Sequence, residues 1–160
     1  MRAGIGFDVH RFDETRPLML GGVRIPEAAG LSGHSDADVI CHALADAVLG
    51  AAGLGDIGTH FPDTDPQWAG ASGIDLLQRV ATLAREVGYA VFSVDATLLL
   101  EWPKVAPHVA EMRARIAAAL GIGPGDVNVK ATTTEGLGTV GRREGAACMA
   151  VASLLPAGSS

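Results

Sequence analysis

The stretch "RAGIGFDVH", Arg2–His10, alternates apolar residues with glycines and polar residues. This period of two predicts a β-strand with one apolar face, made of Ala3, Ile5, Phe7 and Val9, and a second face made of Gly4, Gly6, Asp8 and His10. On the second face Asp8 and His10 would project about 6 to 7 Å apart along the strand, which suits two ligands of one metal ion. The two glycines would let another backbone or a ligand approach that face.

A helix predicted from Ser35 to about Ala52 supplies a third candidate ligand, His42. Its apolar stripe consists of Ile40, Leu44, Ala47, Val48 and Ala51. Ser35 is the predicted N-cap. Asp38 and Asp46 flank His42 at i−4 and i+4, where they could orient the imidazole or simply meet solvent. Together, Asp8, His10 and His42 would form a three-ligand set with the fourth coordination position open, which is typical of a catalytic zinc site. The alternative is that all three are ordinary solvated side chains.

Further helices and strands follow along the chain. Gly21–Gly22, before Val23 and Ile25, indicates a short hairpin or excursion. The sequence predicts a helix over residues 72–88 and another after Pro103, with the apolar stripe Val109, Met112, Ile116 and Leu120 and its end at Gly121. It predicts strands over residues 90–101, 126–134 and 145–154. The stretch "GDIGTHFPDTDP", residues 55–66, is a loop by composition, and such polar loops often carry function.

Composition limits the classes of protein to consider. The 160 residues are 48% hydrophobic, which predicts a single domain over residues 1–160. The longest apolar run, residues 39–55, is interrupted by His42 and Asp46, so we expect no membrane span. The first residues lack the features of a secretory signal and the two cysteines lie in apolar sequence, which favours a reducing cytoplasm. The net charge is −6 and the sequence has no Lys/Arg cluster, which argues against a surface that binds nucleic acid. If the ligand is nevertheless anionic, metal ions would have to help bind it.

Three other places could bind phosphate. His34 and Ser35 precede the first helix, where free backbone N–H groups favour an anion, although Ser35 could be only a cap. In "KATTTEGLG", residues 130–138, a lysine, three hydroxyls and Glu135 could hold phosphates and a hard cation, although threonine is also a common strand residue. Lys104 could contact phosphate or lie in solvent. We interpret Trp68 and Trp102 as packing residues, and His60 and His108 as surface histidines.

Several ordered motifs together resemble one known family. They are "GFDVHRF", "GGVRIP", "HSDADVICHALADAVLGAAGLGDIGTHFPDTD", "PKVAPH" and "NVKATTTEGLGTVGRREG". This set strongly resembles the 2-C-methyl-D-erythritol 2,4-cyclodiphosphate synthase family of non-mevalonate isoprenoid biosynthesis, over essentially the whole chain. The resemblance implies an α+β fold with a mixed four-stranded sheet and helices packed on one face. It also implies a homotrimer with sheets around the threefold axis and active sites between subunits.

The resemblance also implies a reaction. The family cyclises 4-diphosphocytidyl-2-C-methyl-D-erythritol 2-phosphate, whose 2-phosphate attacks the β-phosphorus and releases CMP. By matching position, zinc would be held by Asp8, His10 and His42, and a second cation, magnesium or manganese, would be held with help from Glu135. His34 and Ser35 would contact the attacking phosphate, and His34 and Thr133 would stabilise the transition state. The methylerythritol part would contact Asp56, Gly58, Phe61, Pro62, Asp63, Thr64 and Asp65, and the cytidine diphosphate end would contact Pro103, Lys104 and Thr132.

Some positions depart from the commoner family pattern. Around the expected cytosine pocket, Leu100 and Val105–Ala106 differ from the residues that are commoner in the family. Thr139 occupies a position where the family frequently has an aromatic residue. Some relatives bind an isoprenoid diphosphate on the trimer axis; Phe7 and Arg142 match that site, but Met149 is not acidic. Two alternative functions are a metal-dependent phosphohydrolase and a non-catalytic trimer that binds a nucleotide or isoprenoid diphosphate.

Overall fold

The computed structural model describes residues 1–158, which form an α+β fold around one mixed sheet. Its strands are β1 Arg2–Leu20, β2 Val23–Leu31, β3 Tyr89–Leu99, β4 Val127–Thr132 and β5 Gly145–Pro156. Its α-helices are α1 Val39–Ala52, α2 Ile57–His60, α3 Gly73–Glu86, α4 Val109–Leu120 and α5 Gly138–Gly141. Within residues 1–158, no helix combines the length and apolarity that a membrane crossing requires.

The sheet has five strands in the order β2-β1-β5-β3-β4, so the expectation of four strands was wrong. Among the strand pairs of residues 1–158, β3–β4 is parallel and the other three are antiparallel. The extra strand is β2, which pairs with the far half of β1. Gly21 and Gly22 both have positive φ, a conformation that lets a two-residue turn join antiparallel strands. Of the two predicted alternatives, a short hairpin or an excursion, the hairpin is confirmed, and its second strand is a full edge strand.

The helices cover one face of the sheet, and that face is not the apolar face of β1. A Cβ on Gly4 would lie 2.1 Å from the Ala47 carbonyl oxygen, and a Cβ on Gly6 would lie 1.9 Å from that of Ala43. The face of β1 that carries Gly4 and Gly6, the glycine face, therefore packs directly against the backbone of α1. The prediction that these glycines let another backbone approach is confirmed. Ile5, Phe7 and Val9 point the other way and are 68%, 55% and 51% exposed.

Helix α1 begins later than predicted because Asp38, rather than Ser35, is its N-cap. The Asp38 carboxylate accepts hydrogen bonds from the backbone N–H groups of Ile40 and Cys41, both at 3.1 Å. It also accepts from Gly21 and Gly22 at 2.9 and 2.7 Å, so it ties the β1–β2 turn to the helix. Asp38 is fully buried, and these four donors stabilise its carboxylate there.

Candidate metal centre and substrate cavities

Asp8, His10 and His42 lie close together where α1 crosses β1. Asp8 Oδ2 is 2.9 Å from His10 Nε2 and 3.1 Å from His42 Nδ1, and the two histidine nitrogens are 3.4 Å apart. The two strand residues share a face by strand periodicity, whereas His42 reaches them because the glycine face lets α1 approach closely. The structure therefore brings the three predicted ligands together.

The donor set fits a tetrahedral divalent ion. Ligands held about 2.0 to 2.1 Å from such an ion are separated by about 3.3 Å, close to the three distances observed here. One carboxylate and two imidazoles are a common ligand combination in catalytic zinc sites that leave one position open. The cluster can therefore hold a divalent metal ion.

Neighbouring groups orient both imidazoles. His10 Nδ1 donates to the Ser32 carbonyl oxygen at 2.6 Å, which leaves Nε2 free as a ligand. His42 Nε2 lies 3.0 Å from Ser35 Oγ, so with Nδ1 as the ligand it donates to that hydroxyl. The suggestion that Asp38 or Asp46 orients His42 was wrong. Asp38 caps α1, and Asp46 accepts from the Ile57 N–H at 2.7 Å.

The charges in the cluster are strongly coupled. Burial of Asp8 opposes its ionisation, but hydrogen bonds and positive charge from His10 and His42 outweigh burial and hold the pKa of its carboxyl well below the ordinary value. The hydrogen bond to Asp8 raises the pKa of His10, against the effect of burial. Asp8 is therefore a carboxylate at neutral pH and available as a metal ligand.

The cluster opens into a cavity of about 480 Å³. Its lining consists of Asp8, His10, Gly33, His34, Ser35, His42, Ile57, Gly58, Phe61, Pro62, Asp63, Trp68 and Leu76. Many of the predicted substrate-binding residues are in this set. Asp56 and Asp65 belong to the same loop, where their carboxylates accept hydrogen bonds from Thr59 and Gln67 and shape its turns. Thr64 lies between them in sequence.

Sequence reasoning missed three apolar members of this lining. Ile57 and Leu76 carry no chemical signal in sequence, and Trp68 was interpreted as a packing residue. The Trp68 ring meets Phe61 edge-on, with ring centroids 4.9 Å apart, and it lines the cavity. Its position shortly after the polar loop is the one feature of the sequence that could have indicated this role.

The second group of predicted residues lines a separate cavity of about 440 Å³. It is formed by Leu100, Glu101, Pro103, Lys104, Val105, Ala106, Val109, Lys130, Ala131, Thr132 and Thr133. Next to it, Glu135 accepts a hydrogen bond from Thr133 Oγ1 at 3.2 Å. Glu101 was not predicted; its carboxylate accepts from the backbone N–H of Thr134 at 2.8 Å and so holds the turn after β4.

One chain does not bring these two cavities together. Asp8 lies opposite Cys148 on β5, which lies opposite Leu98 on β3, which is paired with Ala131 on β4. Three strand spacings of about 4.8 Å therefore separate the metal-ligand strand from the threonine strand by roughly 14 Å. The two cavities share no lining residue. The candidate metal cluster and Glu135 are therefore far apart within a single chain.

The positions compared with an axial site lie on the exposed side of the sheet or next to it. Phe7 lies opposite Met149 in the β1–β5 register, and both are about half exposed. Arg142 precedes β5, and its Nε donates to Glu144 Oε1 at 2.6 Å.

Two other residues considered in the sequence lie outside both cavity linings just described. Trp102 is half exposed. His60 Nε2 donates to the Leu54 carbonyl oxygen at 2.8 Å.

Comparison with known proteins gives matches along nearly the whole chain. The profile described as "YgbB family" matches residues 1–155. A 2-C-methyl-D-erythritol 2,4-cyclodiphosphate synthase of Symbiobacterium thermophilum is 60% identical over 152 residues, which are 95% of this chain and 97% of that protein.

Solved structures also match this chain along nearly its whole length. The bifunctional IspDF from Campylobacter jejuni superposes with a TM-score of 0.92 at 45% identity, covering 96% of this chain and 42% of that chain. A 2C-methyl-D-erythritol-2,4-cyclodiphosphate synthase in a CDP-bound form superposes with a TM-score of 0.88 at 36% identity, covering 96% of this chain and 100% of that chain. The chain thus spans less than half of the bifunctional protein and the full length of the single-activity synthase.

Proposed function

The chain belongs to the YgbB family, and from that membership we propose that it is a cyclodiphosphate synthase, a lyase of isoprenoid precursor biosynthesis. Its substrate is 4-diphosphocytidyl-2-C-methyl-D-erythritol 2-phosphate, which it cyclises to 2-C-methyl-D-erythritol 2,4-cyclodiphosphate with release of CMP. The observation in the structure that carries the proposal is the cluster of Asp8, His10 and His42 in the lining of a cavity of about 480 Å³. The names of the relatives do not favour the phosphohydrolase or the non-catalytic alternative.

The metal at Asp8, His10 and His42 is zinc in this proposal. When bound, zinc supplies Lewis acidity toward a diphosphate oxygen. Glu135 helps to hold a second cation, magnesium or manganese, for the substrate diphosphate. The acidic net charge of the protein is consistent with cations, rather than basic side chains, as the main partners of an anionic substrate.

The side chains of the protein position the reacting groups. The substrate's own phosphate is the nucleophile, so no protein nucleophile is required. His34 and Ser35 orient that phosphate, and His34 with Thr133 stabilises the charge of the transition state. Holding phosphate and β-phosphorus close and in line contributes up to about 7 to 11 kcal/mol in favourable intramolecular reactions.

The rest of the substrate is bound by the two cavities. The methylerythritol part lies against Asp56, Gly58 and the loop of residues 61–65. The cytidine diphosphate end lies against Pro103, Lys104 and Thr132. The CDP complex of a structural neighbour supports a cytidine nucleotide as part of the substrate.

The separation of the two cavities supports a homotrimer in which each active site combines the metal cluster of one subunit with the Lys104 cavity of the next. The exposed apolar side of the sheet supports the same assembly, because Ile5, Phe7 and Val9 would otherwise lie in water. An isoprenoid diphosphate on the trimer axis, near Phe7 and Arg142, is a further part of this proposal. We place the enzyme in a reducing cytoplasm, which suits its two free, buried thiols.

Replacing His42 tests the metal cluster. His42→Ala should lose bound zinc, measured by elemental analysis, and CMP release together, whereas His108→Gln should change neither. Phosphorus NMR of the products distinguishes a cyclic diphosphate from the open phosphate that a hydrolase would form. Full activity of the His42→Ala protein without zinc would refute the role of the cluster.

Mixing two inactive variants tests the shared site. His42→Ala and Lys104→Ala each damage every site of their own trimer. In a mixed trimer, one site of three has both native residues, so activity should recover to at most about one third of the wild-type rate. An absence of recovery after verified subunit mixing would contradict a site built from two subunits.

A further inference from the structure

Arg16 connects β1 to the segment that carries His34 and Ser35. Its side chain is partly buried, and its guanidinium donates to the backbone carbonyl oxygens of Gly33 and Ser35. A guanidinium offers several N–H groups in one rigid plane, so it can hold two carbonyl groups in a fixed relation. Arg16 does not line the metal-site cavity.

A local irregularity of β1 places Arg16 there. The β1–β2 register shifts between Asp13 and Pro17, and Asp13 Oδ1 accepts from the Thr15 N–H at 2.9 Å. Gly30 on β2 passes so close that a Cβ there would lie 2.4 Å from the carbonyl oxygens of both Arg16 and Pro17. The bulge and the glycine together fix the backbone from which the Arg16 side chain extends.

The segment held by Arg16 is tight and partly strained. Ala37 has a φ of 57°, a left-handed conformation that is unfavourable for a residue with a Cβ. A Cβ on Gly33 would lie 3.1 Å from His10 Cε1, so the segment packs directly on a proposed metal ligand. On its other side it is tied to the region before α3, since Gly70 N–H donates to the His34 carbonyl at 2.9 Å. On the side of β1, the hydrogen bonds from Arg16 to the Gly33 and Ser35 carbonyl oxygens hold the segment.

We propose that Arg16 is a positioning residue for the cyclisation. It fixes His34 and Ser35 relative to Asp8 and His10, which lie on the same strand as Arg16. The inference rests on the proposed function, since His34 and Ser35 matter to the rate only if they orient the attacking phosphate. A small displacement of these two residues would change the alignment of the phosphate without removing a metal ligand.

Arg113 provides a matched control. Its Nε and Nη2 donate to the Val127 and Pro124 carbonyl oxygens at 2.7 and 2.8 Å, so it also holds two backbone carbonyls with one guanidinium. It does so between α4 and β4 and lines neither of the two proposed substrate cavities. A purely structural role for Arg16 predicts that Arg16→Ala and Arg113→Ala behave alike.

The experiment measures kcat, KM, zinc affinity and the melting temperature of Arg16→Ala, Arg16→Lys and Arg113→Ala. For Arg16→Ala measured at saturating zinc, kcat should fall roughly 100-fold, because a misplacement of about 1 Å can cost that much. Lysine should restore little, since it cannot hold both carbonyls in one plane. Added guanidinium, at concentrations that leave the protein folded, should restore part of the lost kcat. Arg113→Ala should lower the melting temperature and leave kcat unchanged.

Hydrogen exchange separates this inference from the proposed function. Residues 33–37 should exchange faster in Arg16→Ala than in the wild type or in Arg113→Ala, whatever reaction the protein catalyses. If the wild type forms no cyclic product, the proposed function fails, and the exchange result still decides whether Arg16 holds the segment. Unchanged exchange, or an active wild type with an equally active Arg16→Ala variant, would overturn the role of Arg16.

Discussion

Replacing Gly6 with alanine should damage the proposed metal site, because Gly6 lies on the same face of β1 as Asp8 and His10 and packs against α1, which carries His42. The added Cβ would lie 1.9 Å from the Ala43 carbonyl oxygen and 2.8 Å from the Ala47 nitrogen. Both atoms belong to the backbone of α1, so no side-chain rotation can relieve the contact. An ordinary contact of 3.4 Å requires α1 to retreat by about 1.5 Å.

The magnitude follows from this displacement. Overpacking of a dense interior costs about 1 to 3 kcal/mol, and we expect the upper end because the helix has to move as a body. Metal–ligand distances tolerate only about 0.2 Å, so His42 would leave the range of an ion held by Asp8 and His10. Zinc affinity should therefore fall by at least about 10- to 100-fold, the range found when groups that orient metal ligands are lost.

Two measurements and one control test this reasoning. Denaturant unfolding of the metal-free protein gives the stability, and competition with a chromogenic chelator gives the zinc affinity. Gly50→Ala lies in the same helix, but its Cβ would have nothing nearer than the Ile5 carbonyl oxygen at 3.9 Å. That control should gain up to about 1 kcal/mol from helix propensity. Wild-type stability and zinc binding in Gly6→Ala would refute the argument.

Three more predictions concern other parts of the structure. Asp38→Ala should lower the free energy of unfolding by at least about 3 kcal/mol in denaturant titrations, because it leaves several buried N–H groups unpaired at about 1 to 3 kcal/mol each; a loss of only a few tenths would contradict its role as a shared cap. Burial raises the pKa of the Cys41 and Cys148 thiols well above the usual range, so a chromogenic disulfide reagent at mildly alkaline pH should react with them only after unfolding. Rapid reaction of the native protein would show that these thiols are accessible. Phe7→Lys should dissociate the proposed trimer in sedimentation experiments, whereas Val87→Lys, an equally apolar exposed position at the end of α3, should not; an intact Phe7→Lys trimer would exclude this face as the interface.

Local sequence patterns predicted most of the secondary structure. The alternation of Arg2–His10, the glycines after α1 and α4, and the period-two runs of β3 to β5 all depend on interactions within a few residues of the chain. The length of the fifth strand was missed because the two-glycine turn predicts only a short hairpin or an excursion. Only its pairing with the second half of β1 shows a full strand. Ser35 was misassigned as the N-cap because serine is a favourable cap residue in any sequence. In the folded structure Asp38 accepts hydrogen bonds from the helix N–H of Ile40 and from the Gly21 N–H of the β1–β2 turn.

The sequence by itself determined which residues share a strand face or a helix turn, because those relations follow from the periodicity of the backbone. It thus indicated Asp8, His10 and His42 as one candidate set. Tertiary structure decided which face of β1 meets a helix, since alternation marks two faces but does not say what covers either one. It also decided the partners of His42 and the place of Arg16, because those contacts join segments far apart in sequence. Such contacts depend on how closely backbones approach, and at Gly6 and Gly30 that approach is visible only once the chain is folded.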